Sequence, residues 1–163
     1  MPLLLLGYGN PSRGDDALGP MLLEMLEADR RAGRAPDNFE TLTDFQLQVE
    51  HALDLQRRPL VLFIDASLTA PPPCELARLQ PCRDDSFSSH AMSPAAVLAV
   101  YEQVCGQPPP AFLLAIRGHG FALGDSLSAP ARAHLQRARE LVGDLLLHAT
   151  PQQWSQRAAM LAR

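Results

Sequence analysis

The sequence of 163 residues contains no lysine, and all 14 of its basic residues are arginine. The absence of lysine excludes Schiff-base chemistry and a Walker-type phosphate loop, because both need a lysine amine. The 18 acidic residues give a formal net charge of -4, whereas nucleic-acid-binding proteins normally carry a basic surplus. We therefore expect no nucleic-acid partner.

Cysteine and long apolar runs are also scarce. The three cysteines are an odd number without C-x-x-C spacing, which argues against a disulfide framework or a zinc ribbon. We expect Cys105 to be buried, and Cys74 and Cys82 to be more exposed. No apolar run approaches the roughly 18 residues of a membrane span, and the apolar N-terminus breaks at Gly7 without a preceding basic region. These absences predict a cytoplasmic protein with no membrane partner.

The chain that remains has the pattern of an α/β protein. Its length predicts a single domain over 1–163. The predicted elements place the core of this domain over 3–148 and a terminal helix or tail over 150–163. Strands are predicted at 3–7, 39–44, 60–64, 74–80 and 111–116, and helices at 18–26, 46–56, 93–105 and 130–148. This alternation predicts a mostly parallel sheet with helices on both faces. The fourth strand is polar on one side, as edge strands are.

Polar residues follow most of these strands, at the edge of the sheet where α/β proteins bind ligands. Each has an ordinary structural explanation, such as helix capping by aspartate or hydrogen bonding in a turn. Taken together, two carboxylates and one imidazole from three loops predict a divalent-metal site, and such ligands suit nickel or zinc. Three protein ligands would leave positions open for substrate or water. The candidate functional residues at this edge, of which the aspartates and histidines are the possible metal ligands, are Asn10, Asp15, Asp16, Asp44, Gln46, Asp65, His90 and His119.

Two other kinds of site fit the sequence poorly. Gly7-x-Gly9 follows a strand, as in a dinucleotide-binding loop, but the third glycine of that motif is replaced by Ser12. The two aspartates at 15 and 16 would also repel a pyrophosphate. A serine or cysteine hydrolase is disfavoured because neither a G-x-S-x-G elbow nor a cysteine signature is present. His119 is interpreted as a fourth ligand, an outer-shell group or a solvated loop histidine.

Several of these segments together resemble the nickel–iron hydrogenase maturation endopeptidases, over about positions 3–148. The resemblance rests on Gly7-Tyr8-Gly9-Asn10, Asp15-Asp16-Ala17-Leu18-Gly19, Ile64-Asp65-Ala66 and the serine-rich loop that carries His90. Asp44-Phe45-Gln46-Leu47 and Arg117-Gly118 are similar to the subgroup that matures NAD-reducing hydrogenases. The family resemblance implies a peptidase, of aspartic or metal-dependent type, that removes the C-terminal extension of a hydrogenase large-subunit precursor after nickel insertion.

The resemblance also implies a fold and a set of site residues. The fold is a three-layer α/β/α domain with a twisted five-stranded mixed sheet in the order 2-1-3-5-4 and an antiparallel fourth strand. Asp16, Asp65 and His90 are the implied catalytic and metal-contacting residues, with nickel supplied by the substrate and shared at the site. Many family members carry glutamate where Asp16 stands. We expect a monomer whose substrate-binding residues are Asn10, Asp15, Asp44, Gln46 and His119.

Two alternatives stay open from the sequence. A non-catalytic nickel chaperone or docking protein would use the same three ligands, and only a cleavage assay separates it from a peptidase. Peptidyl-tRNA hydrolases also begin with a strand and Gly-x-Gly-Asn-Pro, which matches Gly7 to Pro11. They require a His-Asn pair shortly afterwards and a basic surface, whereas this chain has two aspartates and an acidic balance.

Overall fold

The computed structural model describes residues 1–83 and 92–162, over which strands and helices alternate as predicted. The strands and α-helices are β1 (Leu3–Tyr8), α1 (Leu18–Arg31), β2 (Phe39–Asp44), β3 (Val61–Ser67), β4 (Cys74–Arg78), α2 (Pro94–Cys105), β5 (Ala111–Arg117), α3 (Ala129–Leu147) and α4 (Pro151–Leu161). Two 3-10 helices, Gly14–Ala17 and Val49–Leu55, complete the described elements.

The strands form one mixed sheet in the order β2-β1-β3-β5-β4. All neighbouring strands are parallel except β4 and β5, which are antiparallel. This confirms the expected topology, including the antiparallel fourth strand at one edge. The chain leaves β1 toward β2 on one side and returns to β3 on the other. The carboxyl ends of β1 and β3 therefore form the switch point at which α/β sheets bind ligands.

Helices cover both faces of the sheet, so the central strands are apolar on both sides, as in parallel sheets generally. On one face of β1, Leu3 and Leu5 pack with α1, α3 and α4. On the other face, Leu4, Leu6 and Tyr8 pack with α2 and the 3-10 helix Val49–Leu55. Within residues 1–83 and 92–162, no helix has both the length and the apolar character needed to cross a bilayer. The structure is a single α/β domain with three layers.

The C-terminal segment is fastened to the core by Trp154 in α4. The indole is completely buried and meets the ring of Phe112 edge-on, with 5.5 Å between ring centroids. Its Nε1–H donates to the carbonyl oxygen of Leu145 over 2.9 Å, as a buried indole requires. The tail predicted from the sequence is therefore an integral helix of the domain.

The structure corrects the expected helix over 46–56 and two of the cysteine predictions. Only Val49–Leu55 is helical, as a 3-10 helix; its buried Ala52 and Leu55 are three residues apart, the period at which 3-10 side chains align. Cys74 is buried because its side chain faces the core with Leu76, whereas Cys105 ends α2 and is exposed. Cys82 is exposed, as expected.

Candidate functional site

Two glycines allow the loop after β1 to fold tightly over the ends of the central strands. Gly9 has a φ of +145°, and a Cβ atom there would lie 2.0 Å from the carbonyl oxygen of Asp16. A Cβ atom at Gly19 would lie 2.8 Å from the carbonyl oxygen of Ile64. No side chain fits at either contact. Because Gly9 and Gly19 have no side chains, the first loop and the start of α1 can approach the strand ends closely, and Asp16 lies at the switch point.

Asp16 is held at this position by the backbone of its own loop. Its Oδ2 accepts a hydrogen bond from the Asn10 N–H over 2.7 Å, and the residue is partly exposed. The Asn10 side chain in turn accepts from the Ser12 N–H over 2.9 Å. Neither Asp15 nor Asp16 caps α1, whose N-cap residue, Ala17, has no side-chain bond. The capping explanation for these aspartates is therefore wrong.

Asp65 lies inside β3, in register with Ala115, and its partly buried side chain is close enough to Asp16 for the two charges to interact. Burial, together with the negative charge of Asp16, raises the pKa of Asp65 to about 7, although the Ala66 N–H and the Tyr8 hydroxyl favour its anion. We call Asp16 and Asp65 the carboxylate pair. Near neutral pH the Asp65 carboxyl group therefore holds a proton in a substantial fraction of molecules.

Tyr8, at the end of β1, was not identified from the sequence. Burial and the neighbouring charge of Asp65 raise the pKa of the Tyr8 phenol, so the hydroxyl stays protonated and acts as a donor toward Asp65. Tyr8 continues the alternation that buries Leu4 and Leu6 on the same face of β1. That periodicity predicts a core residue, and the only signal for a polar role was its place at the strand end.

Asp15 has a different environment from its neighbour. It is fully buried, with 0% exposure, and its carboxylate accepts four hydrogen bonds. Oδ2 accepts from the N–H of His119 and the hydroxyl of Ser128 over 2.7 Å each, and from the Gly120 N–H over 3.3 Å. Oδ1 accepts from the Ser128 N–H over 2.7 Å. We call this arrangement the Asp15 clasp.

The clasp gives Asp15 a structural role, in contrast to the substrate-binding role expected from the sequence. Burial alone would raise the pKa of Asp15, but the hydrogen bonds from Ser128, His119 and Gly120 outweigh it and lower the pKa. Ser128 is also the N-cap of α3 and accepts from the Ala131 N–H. The clasp therefore joins the first loop, the loop after β5 and the start of α3.

Asp44, at the end of β2, belongs to the same rim of the sheet. Its carbonyl oxygen accepts from the Gly9 N–H over 3.0 Å, and its Oδ2 lies 3.2 Å from Nε2 of the buried His51. Because Nδ1 of His51 accepts from the Gln48 N–H over 2.8 Å, the imidazole proton lies on Nε2 and faces Asp44. The exposed Gln46 follows shortly after, so both expected substrate-binding residues on this side are accessible.

The histidines complete the description of the rim. His119 is exposed in the loop after β5, and its ring centroid lies 5.5 Å from that of His134. Nδ1 of His134 donates to the carbonyl oxygen of Arg117 over 3.0 Å. His90 lies outside the described residues. Within the described ranges, no three His, Cys, Asp or Glu side chains are grouped so as to hold a metal ion.

The carboxylate pair has definite chemical properties. Two neighbouring carboxylates repel each other, and a divalent cation bound between them removes that repulsion. Oxygen ligands accept borderline cations such as nickel or zinc when nitrogen or sulfur ligands complete the set. A carboxyl group with a pKa near 7 is also suited to proton transfer at neutral pH. Together, the fold and the pair define a three-layer α/β protein with an acidic site at the switch point.

Solved structures with this fold are found among hydrogenase maturation proteases. The chain is similar to the hydrogenase maturating endopeptidase HybD from E. coli (TM-score 0.70, 23% identity, 91% of this chain and 94% of that chain covered). It is also similar to the nickel–iron hydrogenase maturation protease HycI from Thermococcus kodakarensis (0.66, 19%, 89% and 92%). A third is the hydrogenase 2 maturation peptidase from Thaumarchaeota archaeon SCGC_AB-539-E09 (0.63, 19%, 90% and 98%). These likenesses show a shared fold.

No protein-family profile matches the chain, and no curated protein matches it in sequence.

Proposed function

We propose that this protein is an endopeptidase that removes the C-terminal extension of a nickel–iron hydrogenase large-subunit precursor. The observation that carries the proposal is the carboxylate pair, Asp16 and Asp65, at the switch point of a fold shared with hydrogenase maturation proteases. The segments around Asp44 and Arg117 further support a substrate from the NAD-reducing type of hydrogenase. We propose Asn10, Asp44, Gln46 and His119 as residues that contact this substrate.

Nickel enters the proposal as part of the substrate. Asp16, Asp65 and His90 would bind nickel that is already held by the precursor, so that only a metal-loaded precursor is recognised. His90 precedes the start of α2 by four positions, and Met92, two residues after it, packs with the apolar cluster that contains Tyr8. Two carboxylates and an imidazole fit such an ion, and soft ligands from the substrate would complete its coordination.

The reaction proposed is hydrolysis of one peptide bond. Water adds to the scissile carbonyl carbon, the carbon–nitrogen bond breaks, and a proton passes to the departing amine, which gives a new carboxyl terminus and a free extension. Nickel bound in the substrate would polarise this carbonyl. The Asp65 carboxyl group, with its pKa raised to about 7 by burial and Asp16, is suited to hold or release a proton at neutral pH.

The experiment that tests the function compares nickel-loaded and nickel-free precursor in one cleavage assay, with mass spectrometry of the products. We expect shortening of the nickel-loaded precursor only. The substitutions Asp16→Asn and His90→Ala should each slow processing by at least ~10- to 100-fold, since even indirect partners of a metal site have that effect. The exposed Asp54→Asn and His148→Ala serve as matched controls. Efficient cleavage of the nickel-free precursor would contradict the role of the metal.

A second measurement addresses the affinity of the free protein for nickel. The site is open and its carboxylates are hydrated or protonated before the substrate arrives, so we expect weak binding by calorimetry when nickel is titrated into the protein alone. Nanomolar binding without any shortening of the precursor would instead identify a nickel chaperone. The two outcomes separate a processing enzyme from a docking or storage protein that uses the same ligands.

A further inference from the structure

The outer edge of β2 carries main-chain groups that no other described residue uses. The N–H groups of Leu3 and Gly9 donate to the carbonyl oxygens of Asn38 and Asp44, so even-numbered residues of this strand turn their main-chain groups toward β1. The main-chain N–H and carbonyl groups of the odd-numbered residues therefore point away from the sheet. Consistent with this, the carbonyl oxygen of Phe39 accepts from the Arg30 guanidinium on the outer side.

Besides Phe39, Thr41 and Thr43 are the two residues of β2 whose main-chain groups point away from the sheet. Over residues 1–83 and 92–162, no hydrogen bond reaches the main-chain N–H or carbonyl oxygen of either threonine. The Thr41 side chain is already engaged, because its hydroxyl donates to Glu27 Oε1 over 2.8 Å. What stays available is a pair of main-chain donors and acceptors two residues apart, the spacing that an added extended strand matches.

A groove of about 680 Å³ lies beside this edge, between β2 and α1. Its lining includes Pro11, Pro20, Glu24, Arg31, Thr41 and Thr43. Pro11 directly follows Asn10, whose N–H binds the Asp16 carboxylate. The groove is therefore continuous with the first loop and leads from the carboxylate pair along the edge of β2.

The groove has a charge pattern that favours one kind of occupant. Glu24 and Arg31 are both exposed, and neither has an ion-pair partner within the described ranges. They lie seven positions apart on α1, which corresponds to about 10 Å along the helix. Glu24 belongs to the first half of α1, which starts at the carboxylate pair, and Arg31 is its last residue. An extended peptide with a basic residue near the pair and an acidic group further along would match both ends.

From these contacts we infer that the β2 edge binds an extended segment of the protein substrate next to the scissile bond, as an additional strand paired with Thr41 and Thr43. The inference rests on the proposed function and adds to it the surface that positions the substrate. Main-chain pairing supplies affinity with little dependence on the substrate's side chains, whereas Glu24 and Arg31 supply selectivity. The added strand would place the adjoining peptide bond at the carboxylate pair.

The test compares Thr43→Pro with Thr43→Val in the full-length protein. Proline removes the outward N–H and leaves the bonds to β1 in place, as proline on an edge strand does, whereas valine keeps the donor. One net hydrogen bond corresponds to roughly 2- to 10-fold in an equilibrium constant. We therefore expect the KM for nickel-loaded precursor to be at least ~3-fold higher for Thr43→Pro than for Thr43→Val, with kcat of the two variants within about twofold. Equal KM values would overturn the inference.

A second readout is independent of cleavage. Amide hydrogen exchange is measured on the wild-type protein by a short labelling pulse directly after mixing, with and without an excess of the nickel-loaded precursor, and the inference predicts protection of the Thr41 and Thr43 amides. Protection without shortening by the wild-type protein supports the edge and refutes the proposed function. Shortening without protection refutes the edge alone, and the absence of both refutes the two together. Protection that rises with the concentration of this protein alone assigns the edge to a second copy and overturns the inference.

Discussion

The raised pKa of Asp65 predicts that the free protein becomes more stable when this carboxylate is removed. Burial and the charge of Asp16 raise the pKa from 3.8 to about 7, so the folded protein retains a proton that the unfolded chain releases. The contribution of this group to the free energy of unfolding is therefore fully present below pH 3.8 and is lost as the pH rises through 7. Asparagine at position 65 has no charge to bury and avoids this loss.

The magnitude follows from the width of that pH window. Each pH unit between the two pKa values corresponds to about 1.4 kcal/mol, which gives an upper limit of roughly 4 kcal/mol at pH 8 for Asp65→Asn. Since solvent reaches part of the Asp65 side chain, we expect a gain of roughly 2–4 kcal/mol in the free energy of unfolding. At pH 5 the gain should be about 2 kcal/mol smaller, because the wild-type carboxyl group is then protonated in the folded state.

The assay is urea denaturation of wild-type protein and Asp65→Asn at pH 5 and pH 8, followed by circular dichroism. Asp54→Asn, at an exposed position of the second 3-10 helix, controls for the removal of one negative charge. The reasoning is refuted if the gain is equal at both pH values, or if Asp65→Asn is less stable than wild type at pH 8. A more stable variant that no longer processes precursor would show that this carboxylate is kept at the expense of stability.

Three further perturbations are expected to act elsewhere in the domain. Asp15→Asn should lower the free energy of unfolding by at least ~3 kcal/mol, because it leaves buried donors of the clasp unpaired, and urea titration measures this. The hydrogen bonds of the clasp lower the pKa of Asp15 despite its burial, so the contribution of this carboxylate to stability is present above its ordinary pKa and is lost on acidification. The difference in free energy of unfolding between wild type and Asp15→Asn should therefore shrink toward low pH. Trp154→Ala should cost ~3–5 kcal/mol, visible as a lower Tm, and an unchanged Tm would contradict the anchoring of α4. Replacing all three cysteines, Cys74, Cys82 and Cys105, by alanine should leave processing detectable, because the protein's own thiols have no part in the proposed reaction. Loss of cleavage in a triple variant that still folds would indicate a thiol protease.

The strands and most helices follow from local patterns, whereas the strand order was expected from the family resemblance. The strand over Phe39–Asp44 has the predicted bounds, and the apolar run at the N-terminus is buried on both faces, as its composition indicates. The predicted end of the third strand at 64 was too early, because the ladder continues through Asp65, which pairs with Ala115 although its side chain is polar. Hydrophobicity marks where side chains are buried, and main-chain pairing extends beyond that.

The site could be predicted only where its residues follow strand ends. Polar residues at a common edge were predicted because parallel strands end there, whereas the family resemblance singled out Asp16 and Asp65 among them. The structure places these two close enough for their charges to interact. The role of Asp15 could not be predicted, because its partners lie more than 100 positions further along the chain. The adjacent residues Asp15 and Asp16 thus have different roles because of contacts with distant parts of the chain, which a local sequence pattern does not contain.

The Asp15 clasp has a consequence for the order in which this protein acquires its site during synthesis. The first loop leaves the ribosome more than 100 residues ahead of the groups that fix its conformation, which belong to His119, Gly120 and Ser128. Contacts of such large sequence separation form late, because the intervening chain must first be ordered. A nascent chain that ends before α3 therefore contains both members of the carboxylate pair without the contacts that fix their loop. The acidic site at the switch point therefore acquires an ordered first loop only after β5 and the start of α3 have been made.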